Sequence, residues 1–195
     1  MYQFLSTGIE ILAASIGLIP VLLYLNRWLF PSLKRTAICG LFCLYLSAVY
    51  VLAGLPHILY VRYDVNLNLI PFAYMFSDLD TTVLNVLLFV PLGIFLPLLW
   101  ESFIPWWKTT LFGFSLSLLV EFLQLFTYRA TDVNDLMTNT LGAVLGWILA
   151  RAILLFFPDL PSKNTKELTV LGILTFEVLF LIQPFASQFL WNCFL

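Results

Sequence analysis

Apolar segments of about 20 residues recur along the whole chain and constrain its fold more than any other feature. Each is long enough to cross a hydrocarbon core of roughly 30 Å as an α-helix. Only 10% of the residues are charged, whereas a soluble domain carries about 25%. The sequence predicts an all-α, polytopic integral membrane helical bundle of about six transmembrane helices, with five as the alternative. The six spans are placed near 4–26, 36–55, 81–100, 107–128, 136–157 and 168–190.

Basic residues predict the topology, because Lys and Arg favour the cytoplasmic side of short loops. Of the nine, all but Arg62 and Arg129 lie in the first, third and fifth connections or at the span ends beside them. We therefore expect both termini outside the cell. The N-terminus has no basic region followed by a cleavage site, so the first span is expected to be retained. Without a linker or low-complexity stretch, residues 1–195 are predicted to form a single transmembrane domain.

Several classes of function leave signatures that this sequence lacks. No basic tract points to nucleic acid, and the three cysteines follow neither a zinc nor a redox spacing. His57 is the single histidine, and there is no phosphate-binding loop or serine-nucleophile motif. We expect no cofactor, although the spacing of Glu121, Asp132 and Asp135 would permit a divalent cation bound through oxygen ligands.

Polar residues concentrate between Glu121 and Gly146 in an otherwise apolar chain. Glu121 and Gln124 are three residues apart and share one helix face. If the fourth span ends near Tyr128, Glu121 lies roughly 10 Å below the outer surface. A carboxylate there is costly, and its nearest cation in the sequence is Arg129. A functional role and an interhelical hydrogen bond both stay open.

The start of the fifth span supports two interpretations. Thr131 is a candidate N-cap, and carboxylates in the first helical turn complement the helix dipole. Alternatively, residues at spacings of 3, 4, 3 and 4 form one stripe that lines a polar site and lets a neighbouring helix or a ligand chain approach closely. The stripe consists of Asp132, Asp135, Asn139, Gly142 and Gly146.

Other polar groups lie outside this stretch. Asn85 is near the outer end of the third span, where a single interhelical hydrogen bond is the simplest role. The segment before it, 66–76, is apolar for an external loop and is expected to lie along the interface or to dip back into the protein. Glu10 and Glu177 lie within spans and are interpreted as structural.

Three groups of residues together resemble the VanZ-like family of bacterial membrane proteins. The first two are the motifs NLIPF (Asn68–Phe72) and NVLLFVPLG (Asn85–Gly93). The third is the series Glu121, Gln124, Arg129, Asp132, Asp135, Asn139, Gly142 and Gly146. The resemblance covers about residues 40–155. It implies a multi-pass protein of the bacterial cell membrane that contacts membrane lipids, and the family's namesake is associated with low-level teicoplanin resistance.

Three functions follow as hypotheses. In the first, an outward-facing polar site binds or shields a lipid-linked envelope component or lipoglycopeptide through Asn68, Asn85, Gln124, Arg129, Asn139, Gly142 and Gly146. In the second, the protein is a membrane-embedded hydrolase or transferase acting on a lipid-linked cell-wall precursor, with Glu121, Asp132 and Asp135 as catalytic residues. The third and weakest is a small transporter that moves protons along Glu10, Glu121 and Glu177.

Overall fold

The computed structural model describes residues 2–30, 32–63, 66–72, 75 and 78–194. Its helices are α1 (Tyr2–Leu25), α2 (Leu33–Leu52), α3 (Leu79–Leu99), α4 (Trp106–Gln124), α5 (Val133–Leu154), α6 (Lys166–Glu177) and α7 (Gln183–Phe194). A 3-10 turn, Glu101–Phe103, follows α3, and a π-helical turn, Val178–Ile182, joins α6 to α7. Two short strands, β1 (Leu67–Asn68) and β2 (Thr131–Asp132), pair in parallel. Of the predicted interfacial segment 66–76, residues 73, 74 and 76 lie outside the described residues.

Among the described residues, five helices are long and apolar enough to span a membrane. They are α1, α2, α3, α5 and the continuous helix Lys166–Cys193, which contains the π-helical turn. The prediction of an all-α, multi-pass membrane protein is therefore confirmed. The predicted span at 107–128 does form a helix, α4, but α4 falls outside this set because Lys108, Glu121 and Gln124 lower its hydropathy. The orientation of the termini stays a prediction.

The chain divides into two compact units, and the first joins Met1–Arg62 with Lys166–Leu195. Here α1 packs closely on the π-helical turn, since a Cβ at Gly17 would lie 2.7 Å from Cγ1 of Val178. An ion pair ties α2 to α6: Nη2 of Arg35 lies 2.6 Å from Oε2 of Glu167, and both side chains are buried. The beginning and the end of the sequence are thus held together within this unit by a neutralised charge pair.

The second unit comprises Tyr63–Thr165 and is organised around the contact between α3 and α5. Three glycines make that contact close. A Cβ at Gly142 or Gly146 would collide with a carbonyl oxygen of α3, and a Cβ at Gly93 would collide with the carbonyl oxygen of Ala143. On another side, α5 packs against α4, where a Cβ at Gly113 would lie 2.6 Å from Cβ of Ala143. The organisation of residues 1–195 as a single domain stays a prediction.

Candidate functional site

The candidate site lies in the second unit, where the end of α4 and the beginning of α5 meet the segment 66–72. The connection between the two helices carries β2, which pairs with β1 so that Leu67 faces Thr131 and Asn68 faces Asp132. The N–H of Thr131 also donates to the carbonyl of Asn66 at 2.9 Å. Backbone pairing therefore fixes a loop far away in the sequence against the first turn of α5.

Glu121 holds the connection in place from α4. Its side chain is buried, and Oε2 accepts the backbone N–H of Asp132 at 2.9 Å. Its carbonyl oxygen accepts the hydroxyl of Thr131 at 3.0 Å. Arg129, its nearest cation in the sequence, is exposed and makes no ion pair with any residue that the structure describes. The buried carboxylate is thus satisfied by a backbone donor instead of a guanidinium.

Asp132 is the N-cap of α5, so the assignment of that position to Thr131 is wrong. Its Oδ1 accepts the N–H of Asn134 at 2.8 Å, as capping requires, and its Oδ2 accepts Nδ2 of Asn68 at 2.9 Å. The hydroxyl of Thr131 instead donates to the carbonyl oxygen of Glu121. Both residues have side chains of the capping type, but only Asp132 accepts a backbone N–H of the first helical turn.

A second carboxylate–amide pair lies one turn further along α5. Nδ2 of Asn85 in α3 donates to Oδ1 of Asp135 at 2.6 Å. Asn139, the next member of the predicted stripe, turns to α4, where its Nδ2 donates to the hydroxyl of Ser117 at 2.9 Å. Successive polar residues of α5 therefore bond the loop, α3 and α4, and they do not present one uniform face to a ligand.

Gly142 and Gly146 complete the predicted stripe. The space beside these two glycines is filled by the neighbouring helix α3. Added Cβ atoms would strike the carbonyl oxygens of Val86 and Val90. Gln124 is buried at the end of α4. Of the residues predicted for the site, Asn68, Asn85, Glu121, Asp132 and Asp135 are joined by contacts near the start of α5.

The charges of this group act on one another. Asp132, Asp135 and Arg129 all interact electrostatically with the Glu121 carboxylate. Among the described residues, no hydrogen bond engages Oε1 of Glu121 or Oδ2 of Asp135, and Oδ1 of Asn139 is buried without a partner. The site therefore offers unused hydrogen-bond acceptors, which suit a ligand with ammonium or hydroxyl donors.

A metal ion finds no ready set of ligands here. No group of three His, Cys, Asp or Glu side chains in the described part of the chain could hold a metal ion. The divalent cation that the spacing permitted therefore has no preformed site at Glu121, Asp132 and Asp135, all three of which are among the described residues.

Two contacting residues carried no role in the sequence-based hypotheses. Oδ1 of Asn134 accepts the N–H of Phe72 at 2.6 Å, which holds the far end of the loop against α5. Ser117 anchors Asn139. A signal for Ser117 existed, since it lies one turn before Glu121 on the same face of α4. No spacing could have linked Asn134 to a residue 62 positions earlier.

Comparison with known proteins agrees with the resemblance seen in the motifs. The sequence model of the VanZ/LLP1 family matches residues 36–157, which include every residue of the candidate site. No curated protein and no solved structure matches the chain significantly. The chain belongs to the VanZ/LLP1 family.

Proposed function

We propose that this VanZ/LLP1-family protein binds the polar head of a lipid-linked envelope component at the outer face of the bacterial cell membrane. By holding or shielding that component, it would limit the access of teicoplanin-type lipoglycopeptides to their target. The observation that carries the proposal is the set of unused acceptor atoms around the first turns of α5. Two of these atoms belong to the carboxyl groups of Asp135 and Glu121, whose other oxygens are fixed by an amide and a backbone N–H.

The fixed oxygens make the arrangement suited to binding. Asn85 orients Asp135 through Oδ1, which leaves Oδ2 for a ligand donor. Glu121 is likewise held by one oxygen, with Oε1 unengaged among the described residues. Asp135 is only half-buried and its orientation is already fixed by Asn85, so a ligand donor at its Oδ2 would bind with a lower ordering cost. The ligand chemistry that fits is an amine or a group of hydroxyls, as in an amino sugar or a peptide amine.

Arg129 adds a cation at the exposed edge of the same site. Its side chain is exposed and makes no ion pair with the described residues, so its guanidinium is available to an anionic group. Guanidinium binds phosphate well because its planar donors match two oxygens at once. A head group that combines phosphate with amine or hydroxyl donors would therefore engage both signs of charge.

The catalytic hypothesis is supported by one specific observation. Glu121 is buried beside two further carboxylates, Asp132 and Asp135, an arrangement that general acid–base catalysis also uses. Against it, Asp132 has both oxygens engaged and Glu121 is bonded to the backbone of its own connection. These bonds favour binding as the first proposal and leave a hydrolase or transferase as the second.

Three conservative variants test both proposals. Glu121→Gln, Asp132→Asn and Asp135→Asn would be compared at equal membrane abundance for teicoplanin susceptibility of the host. Their binding of a polyprenyl-linked cell-wall precursor in nanodiscs would be measured in parallel. The binding proposal predicts that Asp135→Asn weakens precursor binding and makes the host more susceptible to teicoplanin. Catalysis predicts that Glu121→Gln abolishes conversion of the precursor while binding persists. Normal behaviour of all three variants would rule out the site.

A further inference from the structure

The segment 66–72 carries an unusual apolar surface. It contains no charged residue, and its larger apolar side chains are turned outward: Leu69 is 68% exposed, Ile70 69% and Phe72 56%. Soluble surfaces seldom expose several large apolar side chains side by side. We name residues 66–72 the apolar loop.

The backbone of the apolar loop is nevertheless tied down at both ends. At its start, β1 pairs with β2 and Nδ2 of Asn68 donates to Asp132. At its end, the N–H of Phe72 donates to the buried Oδ1 of Asn134 at 2.6 Å. Phe72 adopts a φ of 62°, a conformation that a bulky residue seldom takes without such a constraint. The exposed apolar side chains therefore belong to a segment whose backbone is held in place at both ends.

Strand pairing explains why Leu67 points outward. Successive side chains of a strand point to opposite sides, so Asn68 reaching Asp132 directs Leu67 away from the site. Leu67 is 47% exposed, consistent with this alternation. After Asn68 the chain turns, with the N–H of Ile70 donating to Oδ1 of Asn68 at 3.3 Å, and Leu69 and Ile70 are both exposed. One short segment thus presents a polar group to the carboxylates and apolar groups to the surroundings.

The surroundings that fit are lipid. An aromatic row runs from Tyr63 to Phe126 and on to Phe122, with ring centroids 5.9 and 5.7 Å apart. Phe122 is itself exposed at the end of α4. The apolar loop also precedes α3, a helix apolar enough to span a membrane, whose Val83 and Leu84 are exposed. Tyrosine and tryptophan side chains concentrate at the membrane interface, and Tyr63 precedes the apolar loop by three residues in the sequence.

From these contacts we infer that the apolar loop inserts into the interfacial region of the bilayer. Apolar groups at this boundary typically reach about 5–10 Å into the headgroup and acyl region. An amphiphile could then place its polar head at Asp135 and keep its acyl chain in lipid beside Leu69 and Ile70. This second step, lateral entry of the acyl chain, rests on the proposed function.

Insertion can be tested without any ligand. In a Cys193→Ser background, Ile70→Cys would be labelled with an environment-sensitive fluorophore and reconstituted into phosphatidylcholine–phosphatidylglycerol vesicles, with and without brominated acyl chains. The other two cysteines, Cys39 and Cys43, are buried. The matched control is Asn164→Cys, an exposed position in a polar stretch of the same unit.

Insertion predicts blue-shifted emission at position 70 that brominated lipid quenches, with neither effect at position 164. Water-like, unquenched emission at position 70 would overturn the inference. So would a blue shift that disappears when the protein is diluted in lipid, because the apolar loop would then be covered by a second copy of the chain.

Lateral entry has its own test. The double variant Leu69→Ser with Ile70→Ser leaves Asn68 and its bond to Asp132 unchanged. It should weaken binding of the polyprenyl-linked precursor and spare binding of the same head group without its lipid. Equal loss for both ligands would overturn lateral entry. If the wild-type protein binds neither ligand, the proposed function fails, while lipid quenching at position 70 would still establish insertion.

Discussion

The two units of the protein handle buried carboxylates in opposite ways. In the first unit, Glu167 is paired directly with Arg35 and its charge is cancelled. In the second unit, the buried Glu121 and the half-buried Asp135 are met by a backbone N–H and an amide, which orient a carboxyl group without pairing it with a cation. An ion pair is a structural contact, whereas oriented carboxyl groups without a cationic partner retain the capacity to bind an amine or a hydroxyl-bearing group. The comparison predicts that substitutions separate stability from function according to the unit that they alter.

Loss of the ion pair in the first unit should have the largest effect on stability. Glu167→Ala leaves the buried Arg35 without a counter-charge, which costs about 3–5 kcal/mol. We expect a large fall in the unfolding temperature of the purified protein in detergent. Glu177→Ala is the matched control, because Glu177 is exposed on the same helix.

A double variant sharpens that result. Replacing the pair by Arg35→Met and Glu167→Leu should recover much of the lost stability, because a buried ion pair often exchanges for apolar residues without net cost. Equal unfolding temperatures for Glu167→Ala and Glu177→Ala would contradict the structural role of the pair.

The contact between α3 and α5 should give the next largest effect. Gly146→Ala places a methyl group against the Val90 carbonyl, and overpacking of this kind costs about 1–3 kcal/mol. Gly172→Ala in α6 meets nothing within 4 Å and should leave the unfolding temperature unchanged or raise it. If Gly146→Ala instead weakened ligand binding with normal stability, the glycine would belong to the ligand site.

Asp135→Asn should change stability little and function greatly. The new amide can still accept a hydrogen bond from Asn85 through its Oδ1, so the cost is about 1 kcal/mol or less. The negative charge for a ligand donor is lost. Asp80→Asn serves as the control, since Asp80 is exposed in the first turn of α3. A similar loss of precursor binding in both variants would refute the special position of Asp135.

Arg129→Gln should give the smallest effect on stability, because the side chain is exposed and makes no ion pair with the described residues. Its effect on precursor binding should appear at low salt and fade as salt screens the interaction. Arg151→Gln, at the opposite end of α5, is the control. If the Arg129→Gln variant bound the precursor as tightly as the wild type at low salt, with no dependence on salt, a contact between Arg129 and an anionic group would be excluded.

Five of the six predicted spans correspond to helices that are long and apolar enough to cross a membrane, because every such helix needs a long apolar run; the exception is 107–128. Residue spacing also brought Glu121, Asp132 and Asp135 together, since they are neighbours in the chain. It placed the N-cap at Thr131, whereas the structure has it at Asp132. Both side chains can cap, but the Thr131 hydroxyl is bonded to the carbonyl of Glu121, a contact that residue spacing does not predict.

Residue spacing could not predict contacts between residues that are far apart in the sequence. Asn68 entered the sequence-based site only through the family motif, and its bond to Asp132 crosses 64 positions. Arg35 and Glu167 are 132 positions apart and lie in the first and fifth connections of the predicted topology, outside the predicted spans. The spacing of Gly142 and Gly146 was compatible with close contact to a neighbouring helix or to a ligand chain. A glycine leaves room for either of them.

Precursor binding by Asp135→Asn, measured beside its unfolding temperature, tests the central claim most directly. The comparison would use wild-type protein and the Asp80→Asn control in nanodiscs with the polyprenyl-linked precursor. We predict that Asp135→Asn loses binding while its unfolding temperature stays close to that of the wild type. Undiminished binding by a folded Asp135→Asn variant would contradict the claim that these carboxylates form the ligand site.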